Sequence, residues 1–526
     1  MSDSRSWRGF LGYRTRTNMQ MGGVLLLSVG LIGFMTVGCG GDDSSGSSSS
    51  SSVSVDDCSA SASVGSLCDS TSAQSLSKAT VSGYDETATF DGITSVSDIT
   101  TGVKDYRISY QTQYDNYASS AGKKVTATGR VLLPDGDITN APLLIWGHGT
   151  TGTADKCAPS STKTGVDKHA YQYAARGFVV FAPDYSGLGV DNEMHYYLVK
   201  EPTALSIWDG AYAAKEFVQD QGGTLSGSVV LLGHSQGGQA VLFAHQYYED
   251  GGSNSHLDTV KTDFTLKATV AAAPAPQWIK ALAIANSTFA AALGVTDPTL
   301  AFMLATSYIH AVSDYYGLAE SEMLATDTAT AVADWYETKC QTELGGLVEA
   351  GNSPISNVAT SVFANVLGNQ STGAGAMSAA AAACITAYQT GSSSFSAGSC
   401  VSTGGVAPTG AAQAYGYASG WYTAAVAALN AGDDWGTRML LDGTGTNFAG
   451  SGAYTSSANI YITQGAADDL VPASLTQLLY TELATANSGK VTYDSVADGD
   501  HTASISTYSN SGTGFSYVQK IFEAVQ

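Results

Sequence analysis

A serine stands between glycines in residues 233–238 (GHSQGG), directly after a short apolar run at residues 229–232 (VVLL). The residues after the serine favour a helix. A strand, a sharp glycine-rich turn and a helix together lift a serine hydroxyl above the edge of a sheet, at the positive end of the helix. The motif alone is weak in a chain with 59 glycines, so its context carries the prediction that Ser235 is a nucleophile.

A serine hydroxyl is a weak nucleophile and needs a base beside it. In folds with this turn, the chain order is nucleophile, acid, base. Four histidines come after Ser235, namely His245, His256, His310 and His501. His245 falls on the helix after the turn, His256 falls in a polar stretch, and His310 falls in a predicted insertion. Only His501 comes after the last predicted strand, in a turn-rich segment, and it is the predicted base.

The acid is expected after the seventh predicted strand, where residues 465–472 (GAADDLVP) offer two neighbouring carboxylates. Its role is to fix the tautomer of the base and to stabilise the imidazolium, which requires a buried carboxylate. The spacing G-x-x-D-x-x-V favours Asp468, and Asp469 is the alternative.

An oxyanion hole needs two backbone N–H groups. One is expected from Gln236, the residue after the nucleophile. The other is expected from the loop after the third predicted strand, residues 146–152 (WGHGTTG). Its glycines allow close approach of the backbone to a substrate, and Thr150 is the predicted donor, with Thr151 as the alternative.

These residues require a sheet to position them. Two alternating runs and six shorter β-rich runs predict eight strands, at residues 105–114, 125–133, 143–146, 178–182, 229–232, 268–273, 459–463 and 491–496. Helix-like segments between several of them predict an α/β fold with a mainly parallel sheet. The gap between strands six and seven is far longer than an ordinary connection. We therefore expect residues 277–457 to form an inserted, mostly helical cap on a domain comprising residues 80–276 and 458–526.

The segments 146–160 (WGHGTTGTADKCAPS), 182–189 (APDYSGLG) and 233–238 resemble the secretory lipases of the α/β-hydrolase superfamily. The resemblance implies esterase or lipase activity, no cofactor, a cap after strand six, and Ser235, Asp468 and His501 as a catalytic triad. It also implies a structural position for Asp184. Medium-to-long acyl esters are the expected substrates, because the predicted cap is large and its apolar residues 301–305 and Ile309 offer surface to an acyl chain.

Other functions on the same fold stay open. A peptidase that holds a free amine would need carboxylates near the site, and Glu193, Glu201 and Glu216 are the candidates. An esterase for aryl or carbohydrate esters would share the triad and differ in the pocket. A surface lipoprotein that only binds would need neither triad nor oxyanion hole. The net charge of −23 disfavours nucleic-acid binding, and the chain shows no HExxH or zinc-like CxxC spacing that would indicate a metal site.

The N-terminal residues predict export. Four arginines precede an apolar run at residues 24–37, which ends at residues 36–39 (TVGC) in a pattern that resembles a bacterial lipobox. We therefore expect residues 1–38 to be a signal peptide and Cys39 to carry lipid. A Ser-rich stretch comes next, and residues 39–79 are predicted to be a flexible tether. The expected product is a membrane-anchored lipoprotein, with the outer membrane or the cell surface as candidate locations.

The remaining six cysteines indicate disulfides in an exported chain. Two pairs are close in sequence, Cys58–Cys68 and Cys384–Cys400. Pairing them leaves Cys157–Cys340, which would tie the cap to the loop after strand three.

Overall fold

The computed structural model describes residues 54–84, 90, 97–116, 121–162, 165–191, 193–250, 257, 259–275, 298–322, 326–343, 454–468, 470–471, 473–506 and 516–526. Several predictions lie outside these ranges: the signal peptide, the lipidated Cys39, the pair Cys384–Cys400 and Asp469.

One sheet contains ten strands of the described chain. They are β1 Leu67–Ser70, β2 Gln74–Leu76, β3 Val103–Asn116, β4 Ala121–Pro134, β5 Ala141–Gly147, β6 Val179–Pro183, β7 Leu225–His234, β8 Thr265–Ala272, β9 Asn459–Gly465 and β10 Val491–Val496. Their spatial order is β1-β3-β4-β6-β5-β7-β8-β9-β10, and β2 pairs with β3. The pairs from β6 through β5, β7, β8 and β9 to β10 are parallel, whereas β1, β2 and β4 pair antiparallel with β3, and β4 pairs antiparallel with β6.

The eight predicted runs correspond to β3–β10, so the sheet has two more strands than the eight expected. The extra strands, β1 and β2, lie within residues 39–79, and the disulfide Cys58–Cys68 ties β1 to the segment before it. The prediction of a flexible tether is therefore wrong for residues 67–70 and 74–76, which form strands that pair with β3.

The described chain contains ten helices, some packed on the sheet and some in the region between β8 and β9. They are α1 Lys78–Ser82, α2 Lys168–Ala174, α3 Lys200–Asp220, α4 Gln236–Asp250, α5 Val260–Asp263, α6 Pro298–Tyr316, α7 Thr326–Thr338, α8 Ala473–Ala486, α9 Ala503–Ser506 and α10 Tyr517–Val525. No helix of the described ranges is both long and apolar enough to cross a membrane.

The central strands are buried on both faces, which explains their continuous apolar sequence. Side chains along a strand point alternately to opposite faces. In β5, Leu143 and Ile145 join a core with α3 and α4, while Leu144 and Trp146 join a second core with α2 and α10. Helices therefore lie on both sides of the sheet.

Two helices of the region between β8 and β9, α6 and α7, fall in the predicted cap. The disulfide Cys157–Cys340 joins the end of this described part to the loop after β5. The predicted pairings Cys58–Cys68 and Cys157–Cys340 are thus confirmed.

Candidate active site

Ser235 lies in the turn between β7 and α4 with φ 56°, in the left-handed region that a residue with a side chain rarely adopts. Its backbone is held on both sides. The Ser235 N–H donates to the Ala272 carbonyl at the end of β8 at 2.9 Å, and the Ser235 carbonyl accepts from Gln239 and Ala275, each at 3.1 Å. Such strain, supported by fixed contacts, is typical of a functional position.

The glycines around Ser235 allow backbone segments to touch. A Cβ on Gly237 would lie 1.9 Å from the Gly147 carbonyl oxygen, and one on Gly233 would lie 2.2 Å from that of Gly237. A Cβ on Gly149 would lie 3.6 Å from Ser235 Cβ. The loop after β5 therefore lies directly against the nucleophile turn.

His501 and Asp468 are hydrogen-bonded. The imidazole Nδ1 lies 2.8 Å from Asp468 Oδ2, so Nδ1–H donates to the carboxylate and Nε2 is left available. Asp468 is buried, and its Oδ1 accepts from the Leu470 and Val471 N–H groups at 3.0 and 2.8 Å. These bonds fix the direction of the carboxylate, as the acid of a triad requires.

Gln464, at the end of β9, also holds Asp468. Its Nε2 donates to Asp468 Oδ2 at 2.7 Å, and its Oε1 accepts from Thr476 of α8 at 2.7 Å. Both Gln464 and Asp468 are buried. Gln464 was not predicted from the sequence, although its position four residues before the acid was a usable signal.

His234 joins the nucleophile turn to the histidine loop. Its Nε2 lies 3.0 Å from the His501 carbonyl oxygen, so Nε2–H donates, and the two rings lie 4.7 Å apart. Burial, with a smaller contribution from nearby His501, lowers the pKa of His234 to about 4. The ring is therefore neutral at neutral pH, and it anchors the backbone of the predicted base.

The Ser235 hydroxyl forms no hydrogen bond with the residues described. Nε2 of His501 likewise has no partner among them. Catalytic hydrogen bonds are often long without substrate and tighten on binding. The structure brings the strained Ser235, the His501–Asp468 pair and the loop after β5 to the same edge of the sheet.

The oxyanion candidates flank Ser235. Within the described chain, the N–H groups of Gln236, Thr150 and Thr151 have no hydrogen-bond partner, so they are available to a substrate oxygen. The Thr150 hydroxyl bonds Tyr197 at 2.8 Å, whereas the Thr151 carbonyl accepts from Gln341 at 2.9 Å. The choice between Thr150 and Thr151 stays a prediction.

Asp184 holds the far part of the loop after β5. Its Oδ1 accepts from the Ser160 N–H at 2.9 Å, and its Oδ2 accepts from the hydroxyls of Ser160 and Thr128. It is buried and lies away from the triad contacts, which fits a structural position.

The other candidate histidines have separate partners. His245 is buried between Thr269 and Ser456, and His310 bonds Glu320 at 2.8 Å. His256 lies outside the described residues. Groups of His, Cys, Asp and Glu with the geometry of a metal site do not occur among the described residues.

No protein-family model and no curated protein sequence matches the chain. Solved structures do resemble it. The ligand-bound rice cell wall degrading esterase LipA from Xanthomonas oryzae matches with a TM-score of 0.57 and 15% identity over 88% of this chain and 96% of that one. A Legionella pneumophila protein classed as a hydrolase matches with a TM-score of 0.56 and 16% identity, over 87% of this chain and 98% of that one.

Lipase A from Candida antarctica matches with a TM-score of 0.51 and 12% identity, over 88% of this chain and 83% of that one. Identities this low bear on the fold alone. Together with the mixed sheet, they show that the chain has the α/β-hydrolase fold.

Proposed function

We propose that the chain is a serine ester hydrolase with Ser235 as nucleophile, His501 as base and Asp468 as acid. The observation that carries this proposal is the His501–Asp468 hydrogen bond of 2.8 Å, which leaves Nε2 free in a ring that lies 4.7 Å from the ring of His234, the residue before the strained Ser235. His234 ties the two segments together. Two similar structures are an esterase and a lipase by name, which supports ester hydrolysis.

The geometry supports a two-step reaction through an acyl-enzyme. His501 Nε2 takes the proton of the Ser235 hydroxyl as Oγ attacks the ester carbonyl carbon, and Asp468 stabilises the imidazolium. The N–H groups of Gln236 and Thr150 stabilise the oxyanion. Collapse of the intermediate expels the alcohol with the proton from His501. Water, which gives a proton to the same base, then attacks the acyl carbon; the bond to Ser235 Oγ breaks, His501 returns the proton to Oγ, and the carboxylic acid leaves.

The Asp468 carboxylate accepts four hydrogen bonds. The donors are Gln464, Leu470, Val471 and His501, and they reach both of its oxygens. The carboxylate is therefore held in one orientation, from which it orients the imidazole ring, and this matches the role of a triad acid.

For the substrate, we propose medium-to-long acyl esters, as the secretory-lipase resemblance implies. The support is the long insertion between β8 and β9, because large apolar substrates need an enclosing wall. Leu304 and Ile309 of α6, two of the residues expected to offer surface to an acyl chain, do not add to this support, because both are buried in the main core with Tyr308 and Val312. The test is kcat/KM for p-nitrophenyl esters from acetate to palmitate at matched detergent, where a steady fall beyond butyrate would refute the preference.

We further propose export and lipid attachment at Cys39. The two disulfides of the described chain support an oxidising compartment, where such bonds persist. Replacing Cys39 with Ser should release the protein from membranes or stop its processing. A wild-type protein that is soluble and begins at another residue would refute the anchor.

The peptidase alternative is less favoured, because each candidate carboxylate is engaged elsewhere. Glu193 pairs with Lys123 at 2.6 Å, and Glu216 accepts from the Leu67 N–H at 2.9 Å. Glu201 is buried and accepts from the Tyr315 hydroxyl at 2.5 Å.

The decisive experiment is labelling with a fluorophosphonate probe, together with an assay of ester hydrolysis. We expect Ser235→Ala to lose both while keeping its melting temperature. Ser226→Ala is the matched control, since its side chain lies on an exposed part of β7. Labelling of Ser235→Ala at the wild-type level would reject the assignment. An unlabelled, inactive wild-type protein would instead support the binding-only alternative.

A further inference from the structure

A short segment, residues 195–197, contacts both candidate oxyanion donors. The Tyr197 hydroxyl lies 2.8 Å from Thr150 Oγ1, and His195 Nε2 lies 3.1 Å from Gln236 Nε2. His195 and Tyr197 are both buried. The two donors come from different loops, after β5 and after β7, yet their side chains meet the same segment.

The direction of the His195 bond is set by its other nitrogen. Nδ1 lies 2.9 Å from the Ser186 carbonyl oxygen, which can only accept, so Nδ1 carries the proton. Nε2 then accepts from the Gln236 amide. Burial lowers the pKa of His195 to about 4, which keeps this tautomer neutral at neutral pH. The Gln236 Oε1 has no partner in the described chain, so His195 is the contact that orients this amide.

Helix α7 of the insertion fixes the backbone of the same segment. The Tyr336 hydroxyl donates to the His195 carbonyl and accepts from the Tyr197 N–H. The Tyr336 carbonyl in turn accepts from the Thr153 hydroxyl at 2.6 Å. One buried tyrosine therefore links the insertion, segment 195–197 and the loop after β5.

We propose that Tyr197 and His195 are positioning residues for ester hydrolysis, which hold Thr150 and Gln236 so that both oxyanion donors converge on one point. This inference rests on the proposed function. Oxyanion donors act only when they lie within hydrogen-bond distance of the charge that develops in the transition state. A displacement of about 1 Å can lower a rate by about a hundredfold. Neither positioning residue needs to touch the substrate.

The first test compares two adjacent tyrosines. Tyr197→Phe removes only the hydroxyl that holds Thr150, and we expect kcat for a soluble p-nitrophenyl ester to fall about tenfold with KM unchanged. Tyr196→Phe is the matched control, because its hydroxyl instead bonds Asp314 on α6 at 3.1 Å. It should retain wild-type kcat.

A double-mutant cycle separates positioning from a general loss of stability. Thr150→Val should lower kcat as much as Tyr197→Phe, and the double variant should be no worse than either alone. Thr150→Ser keeps the hydroxyl and should recover most of the activity. On the other side of the hole, His195→Phe and Gln236→Met should show equal, non-additive losses in kcat.

The outcomes distinguish this inference from the proposed function. If Ser235→Ala is inactive and Tyr197→Phe keeps wild-type kcat, only the positioning role is overturned. Additive losses for Thr150→Val and Tyr197→Phe would overturn it as well, even where Tyr197→Phe lowers stability. If Ser235→Ala keeps its activity, both the proposed function and the positioning role are overturned.

Discussion

His234, the residue before the candidate nucleophile, donates from Nε2 to the main-chain carbonyl of His501 at 3.0 Å. The turn that carries Ser235 and the loop that carries the base are therefore joined by a partly buried hydrogen bond. Since the two segments are far apart in sequence, this bond helps to fix their separation.

Replacing His234 with Phe tests this bond. The ring packing 4.7 Å from His501 would be kept, but the donor would be lost, and the His501 carbonyl would keep only the Ser504 hydroxyl at 2.9 Å. We expect kcat to fall about tenfold to a hundredfold, because the base is less well placed. Stability should fall by about 0.5–1.5 kcal/mol, the net contribution of one hydrogen bond. Steady-state kinetics and urea unfolding measure the two effects, and an unchanged kcat would contradict the role.

The acid is tested by two neighbouring substitutions of the same kind. Asp468→Asn keeps the size of the side chain but removes the charge that accepts from His501 Nδ1 at 2.8 Å. We expect kcat to fall by about four orders of magnitude, as for a triad that loses its tautomer control. Asp469→Asn should change kcat less than threefold, an approximate limit for a residue outside a triad. A reversed order would assign the role to Asp469.

Much of this fold could be predicted because buried strands have a strong local signal. The run VVLL of β7 and the run LLIW of β5 are apolar on both faces, and the glycine-flanked serine predicts a sharp turn into a helix after β7. Strands β1 and β2 have 4 and 3 residues, are partly polar and lie half-exposed. Their pairing with β3 depends on distant residues, so no local pattern revealed them.

The residues that position the site could not be predicted from the sequence, because their partners are also far away in the chain. His195 lies 41 residues from its partner Gln236, and Tyr336 lies 141 residues from His195. Hydrogen bonds of this span depend on how elements far apart in the sequence pack together. Chemical motifs mark the reacting groups, whereas the groups that position them have ordinary sequence surroundings.

The disulfide Cys157–Cys340 should matter for activity as well as for stability. It closes a sequence separation of 183 residues, and Gly152 pairs with Cys340 next to the loop of the oxyanion hole. We expect the double Ser variant of this pair to lose about 2–5 kcal/mol of stability. It should also lose more than about half of its kcat at a temperature where it remains folded, an order-of-magnitude expectation for a loosened site.

The pair Cys58–Cys68 provides a matched control, because it lies in the N-terminal segment and spans only 10 residues. Its double Ser variant should lose less stability, since a shorter loop was closed. Kinetics on both variants, measured below their melting temperatures, decide the question. Equal kcat losses in the two variants would argue against a specific effect of Cys157–Cys340.

Acid should destabilise the protein through two histidines, His234 and His195. The folded pKa values of His234 and His195 are lowered to about 4 by burial. The unfolded chain therefore binds protons from about pH 6.5 downward, whereas the folded chain does not until about pH 4. Stability should fall with decreasing pH across this window, by about 1.4 kcal/mol per pH unit for each histidine.

Urea unfolding at several pH values between about 7 and 4.5 measures this slope. In His234→Phe, one titrating group is absent, so the slope should decrease by about one proton. If the His234→Phe variant kept the wild-type slope, His234 would not contribute to the pH dependence of stability.

The contact between Gly237 and Gly147 provides the sharpest steric test of the site. A Cβ on Gly237 would lie 1.9 Å from the Gly147 carbonyl oxygen and 2.7 Å from that of His148. Both neighbours are backbone atoms, so the loop of the oxyanion hole would have to move. We expect Gly237→Ala to lose about 1–3 kcal/mol of stability, as an overpacked site does. Its kcat should fall at least about a hundredfold.

Gly136→Ala is the control, because a Cβ there would lie 3.7 Å from Thr101 Cγ2, an ordinary contact. Its stability should stay within about 0.5 kcal/mol of the wild type, and its kcat should be unchanged. The comparison uses fluorophosphonate labelling rates, which report on Ser235 directly, beside urea unfolding. If Gly237→Ala is labelled as fast as Gly136→Ala, the loop after β5 does not supply an oxyanion donor, and the second N–H must come from another segment near Gln236.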